Sequence, residues 1–318
     1  VRVLFHTNTL NYRGTTVAIT DYAKYNQEVL GNESVIAYNA SHGYDRDMGS
    51  EQAVVDELKK QFNVVGYKEG DLEGIISKEQ VDLAYFIRAG KKEDLPRNCR
   101  TAVHAVFQFN ESHGDRYAYI SKWLSEKMSN GSIPYVPHIV SLPAPTGNYR
   151  KALGISDDKI VIGRIGGYFT FDLQPVKDYI SKFVTTTDKY IFLFVGTEPF
   201  IDHPNVKFIN EIHSPQKKAN FINTCDAMLH ARVRGESFGL SIAEFLHLNK
   251  PVLAWAGGHD LNHVEMLREC NTLYTNVEEL SYLLSIVPEL KQKEGWSEIT
   301  QSFTPNIVMN KFKQVFYD

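Results

Sequence analysis

Short apolar runs alternating with helix-length stretches are what most restrict this chain, because that rhythm belongs to sheets of parallel strands joined by helical crossovers. Strands are predicted at residues 1–5, 33–37, 63–67, 83–87, 101–107, 117–120 and 135–139, and again at 160–165, 190–195, 206–209, 227–230, 252–255 and 272–274. Helices are predicted at 15–30, 52–61, 72–78 and 240–248. The alternation stops at Ser141-Leu142-Pro143-Ala144-Pro145-Thr146-Gly147 and then restarts, so this Pro/Gly-rich stretch reads as a linker. The reading is an α/β protein of two parallel-sheet domains, 1–145 and 146–304, consistent with 318 residues under the usual domain-size prior. No repeat or low-complexity tract interrupts it.

The chemistry concentrates in Arg232-Val233-Arg234-Gly235-Glu236-Ser237-Phe238-Gly239-Leu240-Ser241-Ile242-Ala243-Glu244-Phe245, where Glu236 and Glu244 bracket a turn and a helix start. Gly235 and Gly239 let the backbone around Ser237 and Phe238 turn tightly and approach a ligand. The helix that begins at Leu240 presents unpaired N–H groups and the positive end of its dipole, a site for phosphate. Glu244 lies inside that helix and leans toward its start, within reach of a group beside the phosphates such as a ribose diol. Glu236 stands before the turn, where it can face a sugar. Strands predicted before and after make this a β-loop-α-β unit with its site at the carboxyl end of a strand.

This segment resembles the Glu-x7-Glu motif of GT-B retaining glycosyltransferases, in particular the family 4 group, whose form is E-[ST]-F-G-L-x-x-x-E followed by K-P-V. The likeness covers most of the chain. Residues 1–5 with Arg13-Gly14-Thr15-Thr16 resemble the first strand and its Gly-containing loop. The 101–109 stretch with His104 is similar to the strand that carries the family histidine, and Ser121-Lys122-Trp123 to the step before the interdomain link. Residues 160–167 resemble the first strand of the second domain, and Gly257-Gly258 the turn after the P-V strand. The resemblance implies two Rossmann-like domains facing across a cleft. The second would hold the nucleotide-sugar donor, the first would shape the acceptor side, and a C-terminal helix, 305–318, would cross back to the first. It assigns Glu236 to donor-sugar hydroxyls and Glu244 to the nucleotide ribose, and it draws His104 into the site. On residue type alone, His104 is a core histidine.

One departure is plain. The family carries an Arg and a Lys after the first strand of the second domain, whereas here stands Gly166-Gly167-Tyr168-Phe169-Thr170-Phe171-Asp172. A diphosphate leaving group needs electrostatic stabilisation, and arginine suits phosphate through its planar fork of donors. Arg232, Arg234 and Arg164 are the candidates to supply it, the alternative being that Arg232 and Arg234 are solvated loop residues.

Further candidates are Gly14 and Thr15, open to a phosphate-approach or an ordinary N-cap reading, and Gly166, Gly167, Ser237, Phe238, Gly239, Leu240, Gly258 and His259 on the donor side. Asp260 is open to a contact beside the donor sugar or to capping a 261–268 helix. His259, Asp260, His263 and Glu265 have a weak resemblance to a metal set, but no metal is assigned. Trp255 and Tyr168 are open to stacking on a ligand or to the core.

Net charge of −4 argues against general nucleic-acid binding. No apolar run is long enough for a membrane span, although peripheral membrane contact fits a lipid-linked acceptor. Three separated cysteines, Cys99, Cys225 and Cys270, suit a reducing compartment, and a strand at the start in place of a leader points to the cytoplasm. The expectation is a metal-independent enzyme without a cofactor. It would move a hexose-type sugar from a UDP- or GDP-linked donor to a glycan or other hydroxyl acceptor, with retention. Its rivals are a catalytically degenerate sugar-nucleotide or glycan binder and a GT-B nucleotide-sugar epimerase.

Overall fold

A computed structural model describes residues 1–11, 14–42, 49–68, 70–212 and 214–318. Arg13 of the first loop, and residues 43–48 of the first domain, lie outside the described residues. The chain divides into two compact units, Val1–Ile139 with Phe303–Asp318, and Val140–Ser302.

The first unit runs β1 (Arg2–Thr7), α1 (Gly14–Glu28), β2 (Glu33–Asn39), α2 (Gln52–Lys59), β3 (Asn63–Tyr67), α3 (Leu72–Lys78), β4 (Leu83–Arg88), β5 (Arg100–Ala105), β6 (Arg116–Tyr119) and α4 (Lys122–Ser129). Its six strands pair in parallel in the order β3-β2-β1-β4-β5-β6. The strands are apolar on both faces because both are covered. Val3, Phe5, Leu83, Tyr85 and Ile87 enter one core, while Leu4, Ala84 and Phe86 enter the other, as the two-residue period of a strand requires.

The second unit runs β7 (Ile160–Ile165), α5 (Gln174–Thr186), β8 (Tyr190–Val195), β9 (Val206–Ile209), α6 (Pro215–Thr224), β10 (Ala227–His230), β11 (Gly235–Glu236), α7 (Leu240–His247), β12 (Val252–Trp255), β13 (Asp260–Leu261), α8 (Asn262–Met266), β14 (Leu273–Tyr274), α9 (Val277–Ser285) and α10 (Val287–Leu290). Its main sheet, β14-β12-β10-β7-β8-β9, is again six-stranded and parallel. Counted from β7, its order is that of the first sheet, the doubly wound Rossmann arrangement. Asp226 fastens the starts of two central strands. Its Oδ2 accepts from Val161 N–H and from Arg150, each at 2.8 Å, and Lys291 lies 3.3 Å from Oδ1. The last helix, α11 (Pro305–Phe316), returns to the first unit, where Val308, Met309, Phe312 and Phe316 complete its core.

The strand expected at 135–139 does not form. Tyr135 makes a single bridge to Tyr119, and Pro134 and Pro137, lacking N–H groups, cannot extend a ladder.

Candidate functional site

In a doubly wound sheet, ligands bind beyond the carboxyl ends of the strands where the order reverses. In the second unit that point lies between β7 and β10, and the chain leaves those strands through Gly166-Gly167 and through Ala231 to Gly235. Asp172 joins the two exits, its Oδ1 accepting from Val233 N–H at 2.8 Å. The sequence motif is therefore placed where the topology puts a ligand.

Glu236 is approached there by an arginine and two imidazoles. Arg232 Nη1 donates to its Oε2 at 2.8 Å, and His230 Nε2 stands 3.5 Å from Oε1. The backbone N–H of Glu236 donates to His263 Nδ1 at 3.3 Å, while His263 Nε2 donates to the Trp255 carbonyl at 2.8 Å. Burial alone would raise the Glu236 carboxyl, but His230 and Arg232 outweigh it and hold the group below its ordinary value. Burial, reinforced by His230, lowers His263 to about 4, which keeps the acceptor face of its Nδ1 available to Glu236.

A short ribbon fixes this geometry. Gly235 and Glu236 of β11 pair with Asp260 and Leu261 of β13. Gly235 has φ +75, and a Cβ there would sit 2.1 Å from the Asp260 carbonyl oxygen; at Gly258, φ +122, it would meet the Arg234 carbonyl oxygen at 2.6 Å. Both positions need glycine. Arg234 Nε donates to the buried Asp260 Oδ2 at 2.8 Å, and the exposed His259 has Nδ1 3.6 Å from Oδ1. Asp260 is thus a ribbon residue, not the cap of a helix: α8 starts two residues later and is capped by Leu261. Arg234, Gly258 and His259 line an open depression of about 600 Å³ together with Asp172 and Val233, within the size range of ligand sites.

The turn runs through half-buried Ser237 and buried Phe238 to Gly239, φ +91, which starts α7 without a side-chain cap. The amide groups of that first turn have no helical partner. Asn262 Nδ2 donates to the Phe238 carbonyl at 2.7 Å and holds the turn from below. Glu244, one turn into α7, is buried, with Oε1 2.7 Å from Lys218 Nζ of α6.

Arg164 ends up inside the fold. It donates to the carbonyls of Gly196 at 3.1 Å and Gly167 at 3.0 Å, to Thr170 Oγ1 at 2.6 Å and to Thr197 Oγ1. Burial brings its guanidinium down to about 10, with Glu236 opposing the change. It buttresses the Gly166-Gly167 loop from beneath. In the first unit, Gly14 and Thr15 open α1 on the surface, and Thr16 accepts from Asn11 N–H at 3.1 Å. His104, drawn into the site by resemblance, is a core residue here. It is fully buried, its Nδ1 accepts from Tyr85 O–H at 2.5 Å, and its Nε2 donates to the Val136 carbonyl at 2.9 Å. Both ring nitrogens are spent on the fold, and burial, with His138 adding to it, lowers the ring to about 3.

In the sequence His230, Lys218, Asp172 and Asn262 are passed over as site residues, and His263 stands only as a member of a metal set, not as a partner of Glu236. His230 reads as the polar end of a strand, and the Lys218–Glu244 pair joins helices far apart in sequence, with no local signal for either. Among the described residues no group of three or more His, Cys, Asp or Glu side chains is placed to hold a metal, and His263 Nδ1 faces the Glu236 backbone N–H. Trp255 packs on Tyr274, with ring centroids 5.9 Å apart.

No family model matches the chain, and no curated protein does. Solved structures do. HepE of Anabaena in complex with UDP and glucose is 14% identical with a TM-score of 0.71, each chain covered to 99%. WaaG, a glycosyltransferase involved in lipopolysaccharide biosynthesis, is 10% identical at TM-score 0.68, also with 99% of each chain covered. A glycosyltransferase from Rickettsia africae is 15% identical at TM-score 0.68, covering 99% of this chain and 97% of its own. At such identities the likeness is one of fold: two Rossmann-like parallel-sheet domains, as in GT-B glycosyltransferases.

Proposed function

We propose that this chain is a retaining glycosyltransferase that moves a hexose-type sugar from a UDP- or GDP-linked donor to a hydroxyl of a glycan or other carbohydrate acceptor. The observation that carries the reading is Glu236, ionised and gripped by Arg232 beside the start of α7 at the switch point of the second sheet. The complex of HepE with UDP and glucose, in the same fold, supports the donor class.

In this reading the domain built on β7 to β14 takes the donor and the first domain takes the acceptor. The α7 amides and Arg232 face the diphosphate, Glu236 faces the sugar hydroxyls, and Glu244 faces the ribose. Gly166, Gly167 and Gly258 line the approach, with His259 at the rim. The acceptor oxygen bonds to the anomeric carbon on the face that the diphosphate leaves. The carbon–oxygen bond to the diphosphate breaks with its electron pair, and the acceptor proton passes to the departing oxygen. The arginine and the helix end stabilise the charge that grows there, without a bound metal.

Thermal unfolding with UDP, GDP, ADP and dTDP forms in the presence of chelator tests donor binding. A nucleotide at about 100 times its dissociation constant adds about 2.7 kcal/mol. Glu236→Ala is expected to keep that shift and lose transfer, and a product of inverted configuration by NMR sinks the mechanism. One observation favours a second reading, a binder that does not transfer: residues 166–172 carry no cation for a departing diphosphate, and Arg164 before them is spent on the Gly196 and Gly167 carbonyls. Nucleotide-sugar binding with neither transfer nor slow hydrolysis would select it.

A further inference from the structure

The Glu236 carboxylate has one partner at full hydrogen-bond strength, Arg232 at 2.8 Å on Oε2. On the Oε1 side, 3.5 Å away, stands an imidazole in an unusual state: His230 is buried, and among the described residues neither of its ring nitrogens has a hydrogen-bond partner. Buried polar atoms in folded proteins are nearly always paired, so a ring left in this state invites a partner. The groups around it are few. Its own strand end is held by Tyr274, whose hydroxyl donates to the His230 carbonyl at 2.8 Å. The His263 ring lies 4.8 Å away, centroid to centroid. Across from it are Glu236 and, beyond the carboxylate, Arg232, while Arg164 of β7 and Asp172 of the loop after it add to the charge around Glu236 and Arg232.

His263 cannot serve the carboxylate. Its Nδ1 takes the Glu236 backbone N–H, and its Nε2 proton is given to the Trp255 carbonyl. Arg232 is also the cation that a diphosphate would compete for. Drawn to phosphate, it would leave a largely buried carboxylate with no donor, and a carboxylate in that state protonates or turns away.

We propose that His230 is the positioning residue for Glu236: from the rigid end of β10 its Nε2–H holds Oε1, so the carboxylate stays ionised and in place when Arg232 turns to the substrate. The role of Glu236 in this statement rests on the function proposed above, whereas the grip itself does not depend on it.

The test therefore has two arms. In the first, carboxyl-13C NMR follows the titration of Glu236 in the protein alone and with UDP, in wild type, His230→Leu and His230→Gln. His230→Leu is expected to raise the Glu236 midpoint by about one pH unit, more with UDP bound, and His230→Gln, which keeps an N–H donor, to restore most of it. An unmoved midpoint in folded His230→Leu overturns the proposal. Should that variant fail to fold, imidazole-15N correlation spectra of the wild type decide: a proton on Nε2 is expected, and a neutral ring protonated on Nδ1 alone refutes the grip. In the second arm, once a donor and acceptor are in hand, His230→Leu is expected to lower kcat about tenfold with UDP affinity unchanged, and His230→Gln to recover it. A wild type without transfer would defeat the proposed function and leave the first arm standing.

Discussion

Lowering the pH from 7 to 5 should loosen the first unit more than the second, because its buried histidines cannot take up protons while folded. His104 and His138 titrate at about 3 and about 4, both brought down by burial, with His138 further lowering His104. The unfolded chain binds those protons near 6.5. Between 6.5 and the folded values the unfolded state holds more protons, so stability is full above that window and falls as the pH falls through it. At about 1.4 kcal/mol per pH unit, each imidazole removes about 2 kcal/mol by pH 5, or about 4 kcal/mol for the pair. His6, buried and also lowered, chiefly by burial and then by Arg88, adds to the loss in the same unit. In the second unit His263 contributes about 2 kcal/mol on the same reckoning, and the half-buried His247 adds less in the same direction. Amide hydrogen exchange of β1 and β4 against β7 and β10, at pH 5, 6 and 7 and corrected for intrinsic rates, reads the two units separately. Equal losses, or a larger loss in the second unit, would refute the reasoning.

Gly235→Ala should cost the second unit at least about 2 kcal/mol in urea denaturation, through a left-handed backbone and a Cβ driven onto the Asp260 carbonyl. Lys218→Met leaves Glu244 buried without its cation, and a loss of about 3 kcal/mol is expected, read as a drop in melting temperature of roughly 10 °C. Arg232→Gln should cut transfer by about a hundredfold or more, with little change in melting temperature. Arg234→Gln should do the reverse, lowering the melting temperature by several degrees with a milder kinetic effect.

Much of the fold was legible because its strands are buried on both faces and stand out as apolar runs. The 160–165, 190–195, 206–209, 227–230 and 252–255 strands form where composition places them. The β11–β13 ribbon was not legible. Each side is two residues long, and it exists because two glycines allow a backbone approach that no pattern of hydrophobicity records. His104 shows the same limit from the other side. A histidine inside a strand has the same appearance in sequence whether it faces a ligand or, as here, Tyr85 and the Val136 carbonyl. The Glu236–Glu244 spacing points to a candidate site, but it carries no sign of the two histidines and the lysine that reach those glutamates from other elements.

The departure after β7 explains the arrangement of charge around the motif. With no cation in the Gly166-Gly167 loop beyond the inward-turned Arg164, two arginines stand after β10, and each already has a carboxylate partner. The pairs are not equivalent. Arg234 is bound to Asp260, a residue sealed at 2% exposure in the ribbon, and removing the guanidinium takes a cation from a buried charge. Arg232 is bound to Glu236, which is less deeply buried and has His230 at its other oxygen. Releasing Arg232 to an incoming phosphate therefore leaves a carboxylate with a second donor at hand, whereas releasing Arg234 leaves a buried carboxylate with an exposed histidine at its rim. On the proposed function, Arg232 is the cation this site would spare for a substrate, and Arg234 the one that keeps the ribbon beneath it in shape.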